Sequence, residues 1–156
     1  DVYKRQDLTH NIIFMSAITG WFVAQVLKTI IHIIVNKQFV AERLVGGGGM
    51  PSSHSATVCA LATATGIRYG GGSFEFALAA VFAIVVMYDA MGVRQETGKQ
   101  GKVLNEMMEI FTQMGKNIDV EKALKEFVGH TPLQVLMGAI LGIIIAIGMC
   151  NMQFFA

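Results

Sequence analysis

Two histidines stand where a chain can gather reactive groups at a polar edge. His54 lies in Met50-Pro51-Ser52-Ser53-His54-Ser55, and His130 lies in Gly129-His130-Thr131-Pro132. Each sits beside a proline and hydroxyl residues, the composition of a helix start. Two imidazoles can divide phosphoryl transfer between them: one ring attacks phosphorus and the other protonates the leaving oxygen. Cations from the same edge, among Lys28, Lys37, Arg43 and Arg94, would then neutralise the equatorial oxygens. The N–H groups of a helix N-terminus, with the Ser52 and Ser53 hydroxyls, favour an anion. The glycine run 46–49 lets backbone approach closely.

Other chemistries use the same residues. A metal could take His54 and His130 with Asp89 as a third ligand, but no short ligand spacing is present. Ser53, His54 and Asp89 could be written as a hydrolase triad. Adjacent Ser and His diverge on a helix, however, and no nucleophile elbow is present. A structural reading makes 46–56 a turn between helices, lets Lys28 snorkel to the interface and makes His32 a packing residue. Trp21, Gln25, Lys28 and His32 share one helix stripe. A lysine in lipid is costly, about 2.5–3.5 kcal/mol on insertion scales, so it should face a bundle interior or polar cavity.

The elements that must position these groups are read from the charge distribution. Of 156 residues, 53% are hydrophobic and 15% charged, against roughly 45–50% and ~25% in soluble domains. Mean hydropathy is +0.53. The net charge of +1 offers no bulk field for a polyanion, so nucleic acid is not an expected partner. Cys59 and Cys150 lie in apolar runs and read as packing residues. Runs long enough to cross a bilayer give four spans, roughly 11–35, 52–69, 74–93 and 133–154. The second is weakest, being dominated by Gly, Ser, Thr and Ala. A greasy soluble bundle is the competing class, but the last run has no polar face to turn to water. A signal peptide is disfavoured because apolarity continues to Val35.

The segment 94–132 differs in kind, with twelve charged residues, six of each sign. Val103, Met107, Ile110, Phe111 and Met114 have helical spacing, and Asp119 is a plausible cap for a second amphipathic helix. The expected fold is therefore all-α: an integral membrane bundle of about four spanning helices, forming one domain, with a short amphipathic helical insertion. Antiparallel spans bring Lys28, 46–56, Asp89, Arg94 and 129–132 to one membrane face. That face carries eight cations (Lys37, Arg43, Arg94, Lys99, Lys102, Lys116, Lys122, Lys125) against three opposite (Lys4, Arg5, Arg68). The positive-inside rule then turns the site toward the cytoplasm, from an inner (plasma) membrane.

GGMPSSHSA, MYDAMGVR about 35 residues later, and GHTPLQVLMGAILG together resemble the divergent phosphatidic acid phosphatase type 2 family. That family is also described as acid phosphatase/vanadium-dependent haloperoxidase-related. The likeness runs from Ala24-Gln25 and Lys28 through the final span. It implies a metal-independent membrane phosphatase with no cofactor, acting on a phosphomonoester or lipid phosphate. Related haloperoxidases hold vanadate in the phosphate pocket. By the resemblance, His130 is the nucleophile and His54 the general acid. Ser52, Ser53 and backbone amides hold phosphate oxygens, with Arg94 and Lys28 as counter-charges. The superfamily's first motif, lysine then Arg-Pro, is degraded; Lys28, or Lys37 with Arg43, are candidate replacements. Ser53 replaces glycine in Pro-Ser-Gly-His, and Gln134 stands where aspartate follows the nucleophile. Asp89 is a candidate substitute carboxylate, and Gln25 a possible support. These departures keep open a non-catalytic alternative that binds phosphate or lipid headgroups, or transports an anion. The sequence leaves oligomeric state open.

Overall fold

A computed structural model describes residues 8–37, 49–114 and 129–154. A short 3₁₀ turn, Leu8–His10, precedes α1 (Ile12–Asn36). Then follow α2 (Ser53–Tyr69), α3 (Phe74–Met91), α4 (Val93–Gln113) and α5 (Pro132–Phe154). Local chemistry sets the boundaries. The Asn11 side chain accepts the N–H groups of Ile13 and Phe14 at 3.0 and 3.2 Å, opening α1. Gly70 stops α2 with a positive φ of 87°, a conformation that glycine adopts without strain. Ser73 then caps α3 by accepting the Phe76 N–H at 3.1 Å.

The burial pattern is inverted relative to a soluble bundle. The interior holds Ala17, Ala24, Ala56, Ala60, Ala64, Ala83 and Ala146 with Ser16, Ser52 and Ser55. The exterior carries Phe22, Ile34, Val81, Ile84, Leu133 and Ile144. Small residues inside and large aliphatics outside are the packing of helices in lipid, where close backbone approach drives association. Three helical stretches are long and apolar enough to cross a membrane: Ile12–Val35, one beginning at Phe74, and Pro132–Met152.

The expected second span is different in kind. At 17 residues, α2 is about 26 Å long at 1.5 Å per residue, short of the ~30 Å hydrocarbon layer. It lies in the interior, packed by α1, α3 and α5. Its alanines, serines and single glycine suit that place, because they admit close neighbours. Gly138 and Gly142 of α5 show how close: a Cβ at either would collide with the carbonyl oxygens of Ser52 and Ala56 respectively. Among the described residues α1 and α3 do not pack together, so the bundle is open along one side of α2. Cys59 packs with Val58 and Ala83, and its Sγ lies 3.7 Å from Met87 Sδ. Cys150 packs on Ala60, Ala64 and Ala146.

The insertion begins as one longer helix than expected. Gly92 breaks the backbone after α3, and α4 resumes at once for 21 residues. The break is a single glycine, so no loop separates span from insertion. The expected helix capped by Asp119 lies outside the described residues.

Candidate active site

The site is built on two helix starts. At α2 the Ser52 hydroxyl accepts the Ser55 N–H at 3.3 Å and the Ser55 hydroxyl at 3.1 Å. Both serines are fully buried. Pro51 therefore does not open the first turn, as its sequence context suggests. Ser52 takes the cap in an extended conformation and the helix begins at Ser53. Ser53 and His54 are its first two residues, at the positive end of the helix dipole.

At α5 the expected order holds: Thr131 caps and Pro132 is the first helical residue. The Thr131 hydroxyl accepts the Gln134 N–H at 3.3 Å, and Gln134 Oε1 accepts the Thr131 N–H at 3.0 Å. This reciprocal pair is a capping box. His130, just before the cap, is 1% exposed. Its backbone N–H donates to Ala90 O at 3.0 Å, tying the α5 start to the end of α3. Its Nδ1 lies 3.3 Å from Gln134 Oε1.

The two histidines meet. Their ring centroids are 5.7 Å apart, with an interplanar angle of 61°. His54 also lines a cleft of about 570 Å³ with Trp21, Ser53, Thr57, Phe82, Val85 and Asp89. The cleft is the upper part of the open side between α1 and α3. A second apolar hollow of about 510 Å³, lined by Ile13, Leu61, Thr65, Leu78 and Phe82, continues it along α2. Phe82 borders both.

Lys28 is 3% exposed and does not snorkel. A Cβ on Gly49 would come within 3.2 Å of the Lys28 Cγ, so the backbone leading to Pro51 lies over the lysine stem. Gln25, one turn earlier, is likewise buried. Arg94 is the second residue of α4; its side chain, like Arg43, lies outside the described residues. His32 is half-buried and Lys37 exposed at the end of α1. Among the described residues no group of three or more His, Cys, Asp or Glu side chains is gathered for a metal.

Residues 9–145 match the divergent PAP2 family. The chain belongs to that family. It is also 35% identical over 150 residues to the uncharacterized membrane protein YuiD of Bacillus subtilis (strain 168), covering 90% of this chain and 95% of that one. No solved structure matches the chain. Together with its apolar helices, these relations make it a membrane protein.

In this divergent PAP2 chain the arrangement can hold an anion between two imidazoles at paired helix N-termini, and Lys28 is buried under the backbone that leads to one of them. Thr131, expected as a cap, and Gln134, expected as a support, have the three-residue spacing of a capping box, which marks Gln134 as more than a missing acid. Two contributors escape sequence reasoning. Ser55 supports Ser52 from within the helix; a hydroxyl three residues after a cap was the available signal. The cleft wall formed by Phe82 and Val85 has no local signal, because it depends on α1 and α3 standing apart.

Proposed function

We propose that this chain is a membrane phosphatase that hydrolyses a lipid phosphate or another phosphomonoester through a phosphohistidine. The observation that carries the reading is the 5.7 Å approach of the His54 and His130 rings. Each reacting nitrogen must come within about 3–3.5 Å of its target, and rings this close can serve one phosphoryl group. Nε2 of His130 attacks phosphorus and the ester P–O bond breaks. His54 gives its proton to the departing alkoxide. Water then attacks the phosphorus, His54 takes the water proton, and the P–N bond breaks to release phosphate and restore His130. Ser53, Lys28 and Arg94 serve the phosphate oxygens, with Ser52 holding the α2 start behind them. The scheme calls on no metal or cofactor. The apolar cleft beside His54 favours a substrate with a hydrocarbon tail.

Phosphate release by the purified protein from lipid phosphates in mixed micelles tests the reading. His130→Ala should abolish release, and release that survives it rules out the mechanism. A second reading is favoured by one observation: a neutral amide, not a carboxylate, faces His130 Nδ1. On that reading the protein binds phosphate or headgroups, or moves an anion, without turnover. Phosphate or vanadate binding with no release across the panel would select it. We place the site on the cytoplasmic side of the plasma membrane, because Lys37, Arg94, Lys99 and Lys102 lie at that end and Arg68 at the other.

A further inference from the structure

We propose that Gln134 is the positioning residue of His130: one amide oxygen both closes the start of α5 and fixes which imidazole nitrogen carries the proton. The meaning of this for catalysis rests on the phosphohistidine reading, but the geometry does not.

The argument begins at Thr131. Its backbone N–H can only donate, and it points at Gln134 Oε1 from 3.0 Å. The group facing it must be the amide oxygen and not the NH₂, so hydrogen bonding itself orients the amide. The same oxygen lies 3.3 Å from His130 Nδ1. An amide oxygen carries no proton, so Nδ1 is the donor. A neutral imidazole has one N–H. With that proton on Nδ1, the ring lone pair is on Nε2, the nitrogen that attacks phosphorus.

Both partners are held. His130 is buried and anchored through its backbone to Ala90. Gln134 is fixed by its own N–H on Thr131 Oγ1, and its carbonyl accepts the Ser52 N–H. A single residue thus touches the α5 cap, the reacting ring and the α2 cap. When Nε2 forms its bond to phosphorus, Nδ1 keeps its proton and its bond to Gln134, so no proton moves within this clamp. The clamp supplies orientation without charge.

Selective ¹⁵N-histidine labelling of the full chain in micelles reads the tautomer directly, at a pH where the ring is neutral. Comparison with His130→Asn assigns the signal. The wild-type ring should be protonated on Nδ1. Gln134→Glu keeps an acceptor for both donors and should keep that tautomer. Gln134→Met keeps the length but loses the acceptor, and should shift the proton toward Nε2 or mix the two forms. A wild-type ring protonated on Nε2 overturns the proposal, and so does a folded Gln134→Met with an unchanged tautomer. The wild-type spectrum decides even if Gln134→Met fails to fold. Phosphate release is measured separately. An Nδ1–H ring without release leaves the clamp standing and removes the phosphatase reading, whereas release from an Nε2–H ring does the reverse.

Discussion

The backbone N–H of Ser52 donates to the carbonyl oxygen of Gln134 at 3.0 Å. This bond joins the starts of α2 and α5, each beside its own histidine. It is possible only because α5 presents glycine, not a larger residue, to the α2 backbone. A Cβ on Gly138 would occupy the place of the Ser52 carbonyl oxygen, and one on Gly142 that of Ala56.

Gly138→Ala should therefore be destabilising, although alanine favours helix. Overpacking of this kind costs about 1–3 kcal/mol, and here the obstacle is backbone, which cannot rotate away. Thermal unfolding in detergent should show a lower midpoint for Gly138→Ala and Gly142→Ala. Gly148→Ala, where a Cβ meets nothing within 4 Å, should match or exceed the wild type. Equal midpoints for all three would mean that the α2–α5 seam can open to admit a methyl group.

His54 and His130 should respond differently to the leaving group. A general acid contributes roughly 10²–10⁴-fold, but only when the departing oxygen needs a proton. His54→Gln should lose about that factor on an alkyl phosphate and far less on an aryl phosphate with an acidic phenol. His130→Ala should be inactive on both. Equal losses for His54→Gln on both substrates would assign that ring to binding and not to proton transfer.

How much of this site can be read from sequence depends on the reach of each interaction. The meeting of 49–56 with 129–132 follows from antiparallel spans, and the α5 start follows from Thr131-Pro132. These are local signals joined by topology. The interior place of α2 is only half legible: its small residues announce weak lipid affinity, but its burial depends on three neighbours. Gln134 misleads because a family motif reads it as a lost acid, whereas its spacing from Thr131 makes it a cap. The length of α4 depends on how Gly92 bends the backbone, a tertiary matter. Lys28 lies between these cases, since cost in lipid predicts burial but not the backbone near Gly49 that covers its stem.

Lys28 should matter through its charge more than its bulk. Lys28→Met retains a long apolar stem in the buried slot and removes the ammonium. Charge-assisted hydrogen bonds contribute about 1.5–3 kcal/mol, so phosphate or vanadate should bind about 10–100-fold more weakly. Isothermal titration with inorganic phosphate measures this without relying on turnover. Unchanged affinity would confine Lys28 to a structural role.

Sidedness is accessible through α4. Glu106 has a side chain 62% exposed and makes only a 3.9 Å surface ion pair with Lys102, of a class worth little. A cysteine there, in a background with Cys59 and Cys150 replaced by alanine, should react with a membrane-impermeant maleimide in inverted vesicles. In intact cells it should react only after permeabilisation. The opposite pattern reverses the orientation drawn from the cations.

The apolar wall of the cleft separates substrate classes. Phe82 and Val85 are 52% and 58% exposed and line the same cleft as His54 and Asp89. A hydrocarbon tail leaving the phosphate would run along them toward the second hollow that Phe82 also borders. Val85→Trp would fill the passage from the wall that Val85 shares with Phe82. Lipid phosphates should then show a raised KM, by several-fold or more. A short water-soluble phosphomonoester, which never enters the passage, should keep its kcat/KM. Parallel losses on both substrates would show that the tryptophan disturbs the histidines, and Val85→Ala then serves as the control that widens the passage. No loss on either would place the tail elsewhere and leave the cleft as packing space between α1 and α3.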